Sequence, residues 1–433
     1  MSDVSREATK ATTRATWLNI GGSLMLGLFV AYLDRTALSV ALPSVAHDMG
    51  FAGDHMAVTS SWALTAFLIG YSVANVLGGV ATRKWDPKAV AIWTFALWSI
   101  ATVCVGFTDS VAVLLGCRVV LGIGEGVYWP QQSRFAKAWF PPTERSKANA
   151  VIQYYGLYVA LAIGFVLLTP LYQAFGWRVL FFITGGLGLV VVVPLYMMKL
   201  KPESQAPYPS PATQASSYRL TLESLGGAPF LLLLFSYVMQ GMLFWGVTLW
   251  ISLAVKSVGF TGTSQAFASG LPFLAAVALA PLMTRISDRT GRRVLIASLG
   301  LILPGVLMML LPVVSGGYAK LALITVALGY YASSYTPNIW SILQTSAEPQ
   351  AVGSAAGIMN GIGAGGGGTL AGFLVGLTNA ATGSYMAGFE LLGVLALLGG
   401  FSLLLYGRVA AKRLVRMEGG GVRVIDSTHS STN

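Results

Sequence analysis

Five ionisable side chains, Asp34, Arg35, Arg118, Glu125 and Glu390, stand inside long apolar stretches of a 433-residue chain. A charge at the centre of a membrane helix costs about 2.5–3.5 kcal/mol on insertion scales, so such groups need a partner or a water-filled cavity. Arg35 and Arg118 present planar, permanently protonated forks that match a carboxylate in two contacts. Asp34 and Glu125 can instead gain and lose a proton. At 1.5 Å per residue, Arg118 lies about 12 Å below the outer end of its stretch, Asp34 and Arg35 about 15–17 Å, and Glu125 about 22 Å. Four charges therefore share one slab. Arg118 and Glu125 are seven residues apart, two helical turns, so both project from one face with Gly122 leaving room between them. Their axial offset of about 10 Å argues against a direct ion pair without a bridging group, for which a carboxylate ligand or Asp34 would serve. The four charges could alternatively form a neutral staple between two helices. Glu390 lies about six residues into its stretch and reads as interfacial.

The elements that must hold these groups follow from composition. Apolar residues make up 55% of the chain and charged residues only 10%, against about 25% charged in a soluble domain. That excludes a soluble enzyme, a nucleic-acid-binding module and a disordered chain. Apolar runs of 18 or more residues also exclude an alternating outer-membrane barrel. The runs predict an all-α polytopic membrane protein with twelve spans near 15–45, 60–81, 89–107, 110–134, 148–169, 179–198, 230–255, 267–284, 294–314, 321–344, 355–377 and 385–406. Of the 27 Lys and Arg residues, 22 fall on the side of the termini, three (Arg178, Lys256, Lys320) on the other side, and Arg35 and Arg118 within spans. This bias puts both termini in the cytoplasm.

The segments are thus a cytoplasmic N-terminal tail (1–14), a first six-helix bundle (15–198), a cytoplasmic linker (199–229), a second bundle (230–407) and a cytoplasmic C-terminal tail (408–433). The linker, rich in Pro, Ser and Ala, reads as flexible. The polar N-terminal tail lacks the pattern of a removable signal peptide. Cys104 and Cys117 fall in apolar spans, and His47, His55 and His429 in an outer loop and the tail, so no metal site or histidine relay is expected. Each half repeats an inner loop, GGVATRKWDPK at 78–88 and TRISDRTGRR at 284–293. A duplicated bundle is the architecture of a rocking transporter whose site lies between the halves near the midplane.

The loop Asp288-Arg289-Thr290-Gly291-Arg292-Arg293 resembles the signature of the major facilitator superfamily. Tyr32-Leu33-Asp34-Arg35 with Leu38-Ser39-Val40, and the run from Arg118 to Gly126, are similar to its anion:cation symporter branch. Trp139-Phe140-Pro141-Pro142-Thr143-Glu144-Arg145 and Gly176-Trp177-Arg178 fit the same branch, so the resemblance covers nearly the whole chain. It implies the twelve-helix fold and transport of sugar acids, aromatic carboxylates or dicarboxylates, usually with protons in bacteria. It also implies a substrate-facing Asn in span eleven, here Asn360. The first-half loop departs from the pattern, because Arg83 holds the acidic position that Asp288 keeps in the second copy. Asp86 could substitute from three residues on. The expectation is instead a weaker inner latch, since Pro87 restricts the Asp86 backbone.

Expected substrate-binding residues are Arg35 and Arg118 for the anion, with Tyr32, Tyr71, Gln153, Gln240, Trp245, Asn338 and Asn360 for hydroxyls or an aromatic slot. Tyr237, Tyr330, Tyr331 and Ser334 share that depth. Asp34 and, more strongly, Glu125 are the expected coupling groups. Arg83, Asp86, Asp288, Arg289, Gly291, Arg292 and Arg293 form the conformational loops. The glycine run 365–368 lacks a Gly-Lys-Ser/Thr ending and reads as a site of close helix approach and bending. The sequence reads as a monomeric proton-coupled importer of an organic anion in the cell inner membrane, needing no cofactor and no nucleic acid, its partners being substrate, protons and the lipid bilayer. An exchanger or exporter of the same fold is the alternative. A membrane enzyme would show a nucleophile–base or metal constellation, and a transporter-derived sensor would carry a soluble output domain; neither is visible.

Overall fold

The computed structural model describes residues 12–51, 56–82, 85–141, 144–208, 221–348 and 351–419, which contain helices and turns and no strand. The first half holds α1 (Arg14–Asp48), α2 (Met56–Ala81), α3 (Pro87–Phe107), α4 (Val111–Trp139), α5 (145–175) and α6 (177–199). The second holds α7 (Ala228–Ser257), α8 (Gly262–Thr290), α9 (Arg293–Met309), α10 (317–346), α11 (Val352–Thr382) and α12 (Tyr385–Gly419). By length and composition nine described helices can cross a membrane, with the 53-residue segment Lys147–Lys199 counted once. That segment is α5 and α6 together, joined without a loop at Gly176, whose φ of 79° only glycine adopts at low cost. The 17-residue α9 and the divided α10 complete the twelve expected spans.

Local chemistry sets the ends. Asp86 caps α3 by accepting the Lys88 N–H at 2.8 Å, with Pro87 at the first helical position. Thr261 and Ser264 form a capping box at the start of α8, and Gly291 (φ 63°) ends it. Two further boundaries differ from expectation. Span ten breaks at Tyr335, just before Pro337, into Gly317–Ser334 and Thr336–Ser346. The last helix runs past 407 to Gly419, because the basic residues there continue a helix as readily as they end one. The described ends of the linker are fastened. Glu203 pairs with Arg134 at 2.5 Å, the Tyr208 N–H donates to Ala138 O at 3.0 Å, and the Glu348 N–H donates to Ser224 O at 2.9 Å. Residues 209–220 lie outside the described residues.

Within the halves α2 packs on α4, α1 on α5, α8 on α10 and α7 on α11; between them α2 meets α11 and α5 meets α8. The pairs in one half correspond to those in the other, as a duplicated bundle requires. Small residues permit these approaches. Gly122 of α4 lies so close to the Phe67 carbonyl of α2 that a Cβ would collide with backbone. Between the halves, Gly361, Gly365, Gly372 and Gly376 form one stripe on α11 against Ser72, Thr65 and Ser61 of α2. Three hydroxyls cross to backbone carbonyls: Ser72 to Gly361 at 2.6 Å, Ser39 to Leu249 at 2.7 Å and Tyr154 to Ala276 at 2.9 Å.

A side chain added to the stripe is expected to force the halves apart. Gly372→Val would place atoms where the Thr65 methyl sits. Overpacking of about 1–3 kcal/mol corresponds to a shift of roughly 5–150-fold toward the separated state. Electron–electron resonance between labels at Val58 and Ala380 should show a longer distance distribution in Gly372→Val. An unchanged distribution would mean that the stripe does not limit closure.

Candidate functional site

The four charges of the central slab are all buried, none exposing more than 3% of its surface. Arg35 of α1 reaches across to α4, donating Nε–H to Glu125 Oε2 at 2.7 Å and Nη2–H to the same oxygen. Glu125 thus pairs directly with Arg35, where a bridged arrangement with Arg118 was expected. The two-turn offset keeps Arg118 away, while Arg35 arrives from the facing helix at the level of Glu125. Arg118 donates Nε–H to Ala63 O at 3.3 Å and lies 4.6 Å over the Phe67 ring. Its Nη1 and Nη2 have no hydrogen-bond partner, nor do Arg35 Nη1 and Glu125 Oε1. Asp34 does not bridge the two arginines, because neither of its oxygens makes a hydrogen bond.

Arg35 sits in an aromatic cage, with Tyr32 at 4.3 Å, Trp245 at 5.2 Å, Tyr71 at 5.4 Å and Phe67 at 5.6 Å from the guanidinium carbon. The ring faces attract the cation and exclude water. Trp245 comes from the second half and stacks parallel to Tyr32, their centroids 6.5 Å apart. A second polar knot lies between the halves. Asn360 donates to Tyr71 Oη at 3.0 Å and to Asn75 Oδ1 at 3.2 Å, and accepts from Tyr237 Oη at 3.3 Å. It stands on the π-helical turn Met359–Gly366, a widened turn of the kind often found at functional sites. Gln240 donates to Tyr331 Oη, and its Oε1 has no partner.

The geometry therefore gathers Tyr32, Arg35, Tyr71 and Trp245 around the guanidinium, with Arg118 on the same Phe67 ring. Tyr71 then leads on to Asn360, whose knot draws in Asn75 and Tyr237. Three other expected residues stand elsewhere, Gln240 being engaged with Tyr331. Asn338 accepts from the Ser287 hydroxyl and donates to Ser334 O at 2.7 Å, so it ties α10 to α8. Gln153 is half-buried on the π-helical turn Ala150–Tyr155 and makes no hydrogen bond to the cluster. Phe67 and Asn75 escaped the sequence reading. Their spacing with Tyr71, one residue per turn at 67, 71 and 75, puts all three on one face of α2 and could have revealed them.

In the second-half loop, Arg293 donates to Ser341 Oγ and lies 4.0 Å from Asp288, while Arg289, Gly291 and Arg292 are exposed. In the first-half loop, Arg83 lies outside the described residues. Asp86 is engaged as the cap of α3, and Arg134 donates to Trp85 O at 2.9 Å. Glu390 is half-buried near the start of α12.

The sequence matches the profile of the Major Facilitator Superfamily over residues 24–372. It is 28% identical over 392 residues to a probable sulfoacetate transporter of Cupriavidus necator, covering 86% of this chain and 90% of that protein. It is 25% identical over 405 residues to a hexuronate transporter of Bacillus subtilis, covering 89% and 93%. A D-galactonate transporter of Escherichia coli is 24% identical over 370 residues, covering 78% and 83%. Among solved structures, a bacterial homolog of the human lysosomal transporter Spinster, inward-facing and occupied, superposes with a TM-score of 0.68 at 14% identity, over 93% of this chain and 98% of that one.

Proposed function

The chain belongs to the Major Facilitator Superfamily, and on that premise we propose that this membrane transporter imports an organic anion together with protons by alternating access. The observation that carries the reading is the set of buried guanidinium donors without acceptors, Arg35 Nη1 and Arg118 Nη1 and Nη2. Buried donors are rarely left unpaired, and a carboxylate supplies two acceptors in the plane that an arginine fork requires. Tyr71, Asn360 and Gln240 then meet the hydroxyls of a sugar acid, a substrate class that the hexuronate and galactonate relatives support. Tyr32 and Trp245 wall the slot.

Coupling follows from competition for Arg35. While Glu125 is ionised it occupies the fork; a proton on Glu125 removes that charge and releases Arg35 to the incoming anion. Asp34, whose oxygens are unpaired, is the second protonatable group. The protein works as a monomer in the cell inner membrane with both termini cytoplasmic, in keeping with the charge bias of its loops.

The test is uptake of labelled D-galactonate, glucuronate or sulfoacetate into proteoliposomes. An inward proton gradient is expected to drive accumulation of at least one of them. Uptake that ignores the proton gradient but follows a sodium gradient would remove the coupling assignment. The same panel identifies the substrate by thermal shift, because a ligand at 100 times its dissociation constant stabilises by about 2.7 kcal/mol.

A further inference from the structure

The start of the linker reaches the exit of α2 through one arginine. Glu203, on the short turn Glu203–Gln205, accepts from Arg134 Nη2 at 2.5 Å. Its other oxygen, Oε1, is buried and has no partner, so the carboxylate is committed to Arg134. Arg134 directs Nη1 at the Trp85 carbonyl at 2.9 Å, Gln131 Oε1 at 3.2 Å and the Thr82 carbonyl at 3.4 Å. Gln131 in turn donates to the Thr82 hydroxyl at 2.9 Å. Thr82 follows Ala81, the last residue of α2, and Trp85 precedes Asp86, the cap of α3. One guanidinium thus holds both ends of the turn between α2 and α3, and Glu203 is its counter-charge. With side chains 26% and 18% exposed, the pair is largely out of water. The second half makes the same link with other residues. Ser341 stands at the matching place of α10, five residues before the helix ends as Arg134 does in α4, and accepts from Arg293 at the start of α9. Asp288, 4.0 Å from Arg293, is the carboxylate there. In the first half that loop position is Arg83, and the one acid of 78–88, Asp86, is engaged as a helix cap.

We propose that Glu203 stands in for the missing loop acid, as a positioning residue that fixes the inner end of α2 through Arg134. That end borders the seam between the halves: Asn75 O of α2 lies 3.5 Å from where a Cβ of Gly357, near the start of α11, would be. A part-buried guanidinium that faces only carbonyl dipoles is poorly compensated. Without Glu203 it turns to water, and the Trp85 and Thr82 carbonyls lose their common donor. The inner end of α2 is then free to lean away from α11, and the inner side closes less readily. The linker is therefore part of the inner latch as well as a tether. This requires the two halves to move against each other, but it uses neither the proton nor the anion of the reading above.

The experiment is electron–electron resonance on full-length protein in lipid nanodiscs, without substrate or proton gradient. Cys104 and Cys117 are replaced by Ser, and labels are placed at Leu77 and Ser354, both exposed near the inner ends of α2 and α11. Glu203→Ala should shift the distribution toward longer distances, raising the ratio of open to closed populations by about fivefold, the size expected for one part-buried ion pair. Arg83→Asp added to Glu203→Ala returns an acid to the same turn and should recover the wild-type distribution, which a mere loss of fold stability would not allow. A Glu203→Ala distribution equal to that of the wild type, or one that Arg83→Asp leaves unrestored, overturns the assignment. Neither result touches the transported anion or its coupling, which are read by uptake.

Discussion

Arg35→Lys is expected to weaken anion binding by about 100-fold, although it conserves the charge. Truncating one partner of a buried, hydrogen-bonded charge pair costs about 2–5 kcal/mol, and each 1.4 kcal/mol is about tenfold. Lysine cannot keep the Nε–H bond to Glu125 and offer a second nitrogen to a ligand in the same plane. Its strongly hydrated ammonium is also a poorer fit among Tyr32, Phe67, Tyr71 and Trp245 than a weakly hydrated planar cation. Arg118→Lys should behave similarly, because its two nitrogens without partners are, in the proposed binding mode, the complementary half of the carboxylate clamp. Titration calorimetry with the panel anion that stabilises the wild type reads both. If both variants bind with wild-type affinity but melt earlier, the Arg35–Glu125 pair is a staple between α1 and α4 and the anion is held elsewhere.

Glu125→Gln should separate exchange from accumulation. The amide has the shape of the protonated acid, so it leaves Arg35 permanently available while carrying no proton. Counterflow, which needs no net proton movement, should persist. Gradient-driven accumulation, about tenfold per proton for each pH unit across the membrane, should fall to the level outside. Asp34→Asn is the companion. If Glu125→Gln still concentrates substrate and Asp34→Asn does not, the coupling proton rides on Asp34 alone.

Relative height along the helices was legible from the sequence, because helical rise converts residue number into height, and the structure buries all four charges and brings Arg35 to Glu125. Rotation was not. Arg35 meets Glu125 only because α1 and α4 turn those faces toward each other, a relation that neither helix encodes alone. The same limit explains Asn338, which has the right height but turns toward Ser287. Composition marked the linker as unable to build a core, yet one carboxylate, Glu203, and one backbone carbonyl, Ser224, suffice to fasten its ends. The glycine run was read as a place of close approach and bending. The contacts of Gly365 and Gly368, with the π-helical turn through Gly366, agree.

The stripe of Gly361, Gly365, Gly372 and Gly376 also bears on speed. Two interlocked helices sliding past one another must lift their side chains over each other, and that corrugation is a source of friction. Where one surface has no side chains, the resistance to sliding is nearly flat. Along the glycine stripe the α2–α11 contact is therefore closer to a plain bearing than to a gear, while the Trp62–Phe373 ring pair beside it, centroids 4.7 Å apart, still interlocks. What holds it in register is the Ser72 bond to Gly361 and the Asn360 bonds to Tyr71 and Asn75, each worth about 0.5–1.5 kcal/mol. Detents of that size are crossed thermally, so in the cycle proposed above the tempo would fall to the charges in the slab.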